Sequence, residues 1–241
     1  MLRSWIDSLT EIIYPRTCLS CKKKIGGVKK DAFVCPACWE KAERNLPPFC
    51  RSCGRQLKKQ GLSKNICPSC SRSAFYFDRA FSPYVYSSTV KDLIHEFKYK
   101  GKDHLGQGLG DLMADFIREY NLPLDCIDMI IPIPLHKSRL REREFNQAEL
   151  LAKTVGARFK KDLLNKGLER IRPTRTQTEL PAHERALNVR ESFRVSDPSA
   201  VRDKNVLLID DVFTSGATSS EAAKALKDAG AKIVFVLTLA N

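Results

Sequence analysis

The apolar positions of this chain fall into two textures. Over the last two thirds they come as alternating kinds of run. "DMIIPIPL" (128–135) is a continuous apolar stretch and predicts a buried strand ending at Pro134. "QAELLAKTVGA" has helical spacing and predicts a helix that Gly156 helps to end. "NVLLID" predicts a second strand, "SSEAAKALKDAG" a second helix with Gly230 at its C-terminal end, and "KIVFVLTLA" a third strand. Strand, helix, strand, helix, strand implies right-handed crossovers and a parallel sheet. The first residues read differently. Leu2, Trp5, Ile6, Leu9, Ile12 and Ile13 make one helical stripe, expected to dock on the protein itself. Asp7 and Glu11 interrupt what would be the apolar core of a signal peptide. No apolar run approaches the roughly 18 residues of a transmembrane helix.

Between these textures lie the cysteines. Eight of the nine precede residue 71, in four CxxC pairs: Cys18/Cys21, Cys35/Cys38, Cys50/Cys53 and Cys67/Cys70. Thirteen residues separate the first pair from the second and the third from the fourth, so the unit repeats every 32 residues. Two residues between thiols let both sulfurs of a knuckle face one ion, and two knuckles complete a tetrahedron. The spacing predicts two structural zinc sites, each built from successive pairs, with an interleaved pairing of knuckles left open. A disulfide framework fits poorly without a secretory leader, and iron–sulfur spacings differ. The segment is too poor in apolar residues to fold on a core alone, so metal ligation is expected to supply the missing folding free energy. Cys126, unpaired, is expected to be a small core residue.

The chain has 241 residues, 43% of them apolar and 29% charged, so it can bury a core and is not disordered by composition. Its formal charge is +13, which favours polyanionic partners such as nucleic acid, phosphorylated ligands or acidic membrane surfaces. The first 78 residues carry 15 Lys/Arg against 6 Asp/Glu, through "CKKK", the lysines at 29–30 and "QLKKQ". They form the denser positive patch, either solvated lysines or a surface for phosphate backbones.

The chemistry concentrates in "VLLIDDVFTSGAT", Val206 to Thr218. Ligands of parallel sheets sit outside the carboxyl ends of the strands, where Asp210 and Asp211 fall. The loop that follows leads into a helix and offers free backbone N–H groups. Thr214, Ser215 and Thr218 add hydroxyl donors, and Gly216 with Ala217 let a phosphate approach the backbone. Such a cradle suits an anion; the two carboxylates before it suit sugar hydroxyls or the hydration shell of Mg²⁺. A ligand with a phosphate beside a ribose diol satisfies both halves. There is no GxxxxGK[ST] and no GxGxxG, which excludes a triphosphate P-loop and disfavours a dinucleotide fold.

This stretch resembles the phosphoribosyl-pyrophosphate (PRPP) motif of type I phosphoribosyltransferases. The resemblance implies that Asp210 and Asp211 bind the ribose hydroxyls, that Thr214, Ser215, Gly216, Ala217 and Thr218 bind the 5-phosphate, and that Mg²⁺ accompanies PRPP. Together with "LIHEFKYKG" (93–101), "IPIPLHKSRLREREFNQAELLA" (131–152) and "RPTRTQTELPAHERALNVRESF" (172–193), behind paired CxxC knuckles, it is similar to the ComF family of bacterial proteins tied to DNA uptake in natural competence. The implied fold is α/β, a parallel-sheet type I phosphoribosyltransferase fold preceded by a small zinc-ribbon module. Residues 1–78 would be the N-terminal helix and double zinc ribbon, and 79–241 the phosphoribosyltransferase-like domain. The family is also labelled amidophosphoribosyltransferase-like. However, no glutamine-hydrolysing domain and no N-terminal catalytic cysteine are visible, and the acceptor is not identified. Lys100 and Gly101, after Lys98, become a pyrophosphate-loop candidate, and the polar stretch 169–192 a mobile hood. Glu144 stands where the family commonly has glycine.

Phosphoribosyl transfer must neutralise a leaving pyrophosphate, which calls for magnesium and cationic side chains. Arg139, Arg141 and Arg143 follow the first strand; Arg172 and Arg175 lie in the hood stretch. Asn146 and Gln147 either read a base or cap the next helix. His95, His104, His136 and His183 are dispersed and expected to be structural or surface residues. Two functions stand side by side. One is a Mg²⁺- and PRPP-dependent phosphoribosyltransferase. The other is a single-stranded DNA-binding component that retains the pocket. The resemblance implies a competence helicase as partner and a place in the cytoplasm, at the inner face of the membrane with the uptake machinery.

Overall fold

In the computed structural model, which describes residues 16–25, 33–57, 65–99, 101–174 and 182–241, the main sheet has five parallel strands. These are β1 (Arg79–Phe81), β2 (Met129–Pro132), β3 (Asp162–Leu163), β6 (Asn205–Val212) and β7 (Ile233–Ala240), in the order β1-β7-β6-β2-β3. A separate antiparallel pair joins β4 (Leu168–Arg170) to β5 (Phe193–Val195). The predicted N-terminal stripe, Lys29, Lys30, the lysines of "QLKKQ", Lys100 and Arg175 lie outside the described residues.

β6 is central and reads as a continuous apolar run because both its faces are covered. Leu207 and Ile209 turn to one buried cluster, and Val206 and Leu208 to the other. On the first face pack α2 (Ser88–Tyr99), α3 (Leu105–Glu119) and α5 (Gln147–Phe159). α3 and α5 approach closely because Gly106 and Gly110 leave room. A Cβ there would lie 2.7 Å from Leu150 Cβ and 2.5 Å from Thr154 Cβ. On the second face packs α8 (Ala217–Asp228), through Ala222, Ala223 and Leu226. The shorter helices are α1 (Pro36–Trp39), α4 (Lys137–Arg143), α6 (Ala182–Val189) and α7 (Pro198–Val201). Two sequence expectations shift. α5 runs past Gly156 to Phe159 and ends where Lys160 turns left-handed at φ 51°, while the Gly156 carbonyl accepts from the Lys161 N–H at 3.0 Å. Cys126 is exposed rather than in the core, its thiol 3.0 Å from the Pro123 carbonyl, because the loop before β2 holds it at the surface.

The cysteines gather as Cys18, Cys21, Cys35, Cys38 and as Cys50, Cys53, Cys67, Cys70, the sulfurs of each group within 4.8 Å of one another. Successive knuckles therefore pair, and interleaving is ruled out. Sulfurs on a tetrahedral zinc with Zn–S near ~2.3 Å stand about 3.8 Å apart; here Cys21 and Cys35 lie at 3.8 Å and Cys53 and Cys67 at 3.6 Å. The residues fit the ion. The 32-residue repeat is also a structural repeat. Cys35 N–H points at Cys18 Sγ (3.4 Å) as Cys67 N–H points at Cys50 Sγ (3.3 Å). The Lys22 N–H bonds the Cys18 carbonyl as the Gly54 N–H bonds that of Cys50. Lys22 and Gly54 are both left-handed, at φ 62° and 72°.

The two ribbons dock on opposite faces of the sheet. Cys18, Ile25, Val34 and Cys38 belong to the first cluster; Cys50, Cys53, Leu57, Cys67 and Cys70 belong to the second. The apolar poverty noted in the sequence is thus made good twice, by metal ligation and by sharing the core of the sheet.

Candidate functional site

A cleft of about 500 Å³ opens at the carboxyl end of β6 and β2. Asp210 and Asp211 stand on its floor, where the β6 apolar run stops. Asp211 Oδ2 pairs with Lys98 Nζ at 2.8 Å, and both side chains are largely buried. Lys98 comes from the last turn of α2, which buries Val90, Leu93, Ile94 and Phe97 on its other side and so aims the ammonium at the strand end. Burial pulls the Lys98 ammonium down, but the Asp211 charge beside it outweighs that and holds it above the ordinary lysine range. Asp210 accepts the Asp211 N–H at 2.8 Å. Burial, then the neighbouring Asp211 charge, push its carboxyl up to about 7. The two acids thus differ: Asp211 is ion-paired, while Asp210 titrates near neutrality.

The loop beyond leads into α8. Gly216 sits at the N-cap with φ 78°, a conformation open to glycine. A Cβ there would come within 2.5 Å of the Phe213 ring and 2.9 Å of the Phe75 ring, so the residue must be small on both counts. The Ser215 and Gly216 N–H groups have no protein partner among the described residues, and Ala217 N–H makes only a 3.4 Å contact to Ser215 Oγ. Unspent donors at a helix N-terminus form an anion cradle. Thr214 and Thr218 line the cleft, whereas Ser215 and Ala217 line a second cavity behind the loop.

Arginines line the opposite wall. Arg139 and Arg143, one helical turn apart on α4, both face the cleft. Arg141, between them, is turned to the exposed side of the helix and is not brought to the cleft. Arg170, at the end of β4, joins them. Arg143 lies over the Tyr99 ring and Arg170 over the Phe193 ring, each at 5.3 Å. Each has a buried Nε without a hydrogen-bond partner among the described residues. Gly101 is left-handed at φ 56°, and a Cβ on it would lie 3.2 Å from a Glu144 carboxylate oxygen. Glu144 itself is left-handed at φ 68°. The glycine common in the resembling family would meet no strain there. Arg172 pairs outward with Glu191 at 3.7 Å.

Asn146 is a helix cap: its side chain accepts the Ala148 N–H at 3.2 Å and donates to the Ile133 carbonyl at 3.1 Å. Gln147 is buried and donates to the Phe97 carbonyl at 3.2 Å. The capping alternative holds for Asn146, and a helix-bridging role for Gln147. His95 and His136 lie on the cleft rim. Sequence reasoning missed Arg170, Tyr86 and Tyr99 as cleft residues, and saw Lys98 only as a neighbour of Gly101. The one available signal for Lys98 was its place on an amphipathic stretch ending at that glycine.

Residues 9–71 match the double zinc ribbon domain and residues 148–241 the phosphoribosyl transferase domain. Competence protein F of Haemophilus influenzae is 28% identical over 229 residues, covering 93% of this chain and 96% of that one. The DNA utilization protein YhgH of Salmonella typhi is 29% identical over 210 residues (86% and 89%). Competence protein ComFC of Bacillus subtilis is 28% identical over 210 residues (84% and 81%). Among the described residues no helix is long and apolar enough to cross a membrane. Two four-cysteine ribbons, a diacid and small-residue loop on a parallel sheet, and likeness along most of the chain make this protein similar to competence proteins F and ComFC, with a double zinc ribbon domain ahead of a phosphoribosyl transferase domain.

Proposed function

We propose that the cleft binds PRPP with Mg²⁺ and that the protein is a phosphoribosyltransferase. The observation that carries this reading is the junction of β6 and α8. Two adjacent carboxylates on the floor of a cleft walled by Arg139, Arg143 and Arg170 lead into a loop whose Thr214 and Thr218 line that cleft and whose Ser215 and Gly216 N–H groups are unspent among the described residues. Asp210 and Asp211 accept hydrogen bonds from the ribose diol. The Ser215 and Gly216 N–H groups and the Thr214 and Thr218 hydroxyls hold the 5-phosphate. The three arginines and Lys98 hold the pyrophosphate and take up the charge that grows on it as the bond to the anomeric carbon breaks. When bound, Mg²⁺ would be held by the Asp210 and Asp211 carboxylates together with the substrate oxygens and would supply further charge neutralisation. Calorimetric titration of the zinc-loaded chain with PRPP tests this. Saturable, magnesium-dependent binding is expected, lost in the Asp210→Asn/Asp211→Asn variant with the fold intact; equal binding by that variant would remove the basis of the assignment.

A second reading is a single-stranded DNA-binding component. It is supported by the +13 charge and by the names of the similar proteins, which refer to competence and DNA utilization. Binding that falls steeply with salt is its expected signature; no binding at low salt would end it.

A further inference from the structure

The ribbons reach further than the core. On the second ribbon, Arg55 follows the Cys50/Cys53 knuckle by two residues, and its Nη2 donates to the Thr214 carbonyl at 2.6 Å, across 159 positions of sequence. We propose that Arg55 is a positioning residue for the phosphate cradle, so that the second ribbon sets the affinity of the site for a sugar phosphate. This rests on the reading of the loop given under Proposed function and adds to it the part that aims the donors.

In a trans peptide the C=O and the following N–H point in opposite directions. Fixing the Thr214 carbonyl toward Arg55 therefore directs the Ser215 N–H away from the ribbon, and that N–H is one of the unspent donors. A guanidinium drawing on this carbonyl also polarises the peptide and makes its N–H a stronger donor.

Arg55 is itself held firmly. Gly54 is so close to β1 that a Cβ on it would lie 2.3 Å from the Ala80 carbonyl oxygen. The Ala80 N–H bonds the Ser52 carbonyl at 2.7 Å. The buried Asn45 side chain donates to the Gly54 carbonyl at 2.8 Å and accepts the Gln56 N–H at 2.8 Å. The Arg55 carbonyl takes the Cys50 N–H at 2.7 Å, which ties its backbone to a metal ligand. The first ribbon shows that this reach is not a property of the repeat. Lys23 holds the equivalent place, its carbonyl taking the Cys18 N–H at 2.8 Å, but that ribbon meets the site from another side. There Lys22 pairs with Glu96 at 2.7 Å, on the helix that carries Lys98.

The test uses the full zinc-loaded chain and two probes, ribose 5-phosphate and magnesium pyrophosphate, each titrated calorimetrically. Removing one charge-assisted hydrogen bond from the loop should weaken ribose 5-phosphate binding roughly tenfold or more in Arg55→Ala. Pyrophosphate binding should stay unchanged, because the arginines of the other wall are untouched. Arg55→Lys, which keeps a donor and a charge, should recover part of the loss, and the exposed Arg51→Ala should match the unaltered chain. Zinc content and Tm are read alongside. Should Arg55→Ala lose metal, Arg55→Lys decides: weakened sugar-phosphate binding with full zinc supports the proposal, and unweakened binding overturns it. Equal loss of both probes, or none, overturns it as well. If the unaltered chain binds magnesium pyrophosphate but not ribose 5-phosphate, the cradle reading falls and the inference with it. Binding of ribose 5-phosphate that every Arg55 variant retains overturns the inference alone.

Discussion

Asp210 should make the protein less stable than it need be, and increasingly so as pH rises. Its carboxyl ordinarily titrates at 3.8 and is held until about 7, by burial first and by the Asp211 charge second. A native-state pKa above the unfolded one means that the folded chain prefers the protonated acid. The associated stability is complete below about pH 4 and is lost as pH rises through about 7. The charged form at about pH 8 therefore costs about 4 kcal/mol, and at about pH 5.5 about half of that. Asp210→Asn keeps an oxygen to accept the Asp211 N–H and cannot ionise. The variant should then be more stable than the unaltered protein at about pH 8, with the gap narrowing by about half at about pH 5.5. In a chain of this size each kcal/mol moves Tm by about 2–4 °C, so the difference at about pH 8 is well within reach of a thermal melt. The assay is a pair of melts with excess zinc across that pH range. Equal Tm values at about pH 8, or a gap that widens on acidification, would refute the account of Asp210 as a carboxylate held in an unfavourable place for a ligand's sake.

Other consequences can be checked in parallel. Lys98→Met leaves Asp211 buried without its partner and should destabilise the fold by roughly 3 kcal/mol, seen as a shift in denaturant midpoint; an unchanged midpoint would mean the pair contributes little. Glu144→Gly relieves a left-handed glutamate and should stabilise by about 1 kcal/mol, and by removing a carboxylate beside Gly101 it should tighten magnesium pyrophosphate binding; weaker binding would contradict the placement. Chelating the zinc should unfold more than the ribbons, because Cys50, Cys53, Cys67 and Cys70 share a cluster with Val206 and Leu208. A sharp fall in Tm of the whole chain is expected, and a metal-free chain with its Tm intact would count against it.

Much of this was legible in the residues. Thiol spacing gave the metal groups because ligand geometry is local. The runs at β2, β6 and β7 announced a parallel sheet because strands covered on both faces carry little else but apolar side chains. Asp210 and Asp211 stood out because charge at the end of such a run is costly without a purpose. β1 was not legible, since three residues carry no period. Choosing between Arg141 and its neighbours needed the knowledge that 137–143 is helical, after which Arg139 and Arg143 fall on one side. Arg170 and Arg55 were hidden for a different reason. Their importance comes from what they face, and Arg55 faces a carbonyl far along the chain.

The pairing of β1 with β7 also fixes an order of events during synthesis. Arg79 has Phe235 as its register partner, and Phe81 has Leu237; β7 is the sheet neighbour of β1. A nascent chain can close both metal knuckle pairs and still have β1 waiting with an open edge until the whole phosphoribosyl transferase region has left the ribosome. For that interval the ribbons' apolar sides, later shared with the sheet, face solvent. Translation speed, chaperone access and zinc supply therefore bear on yield together, and the vulnerable species is a metal-loaded half-made chain.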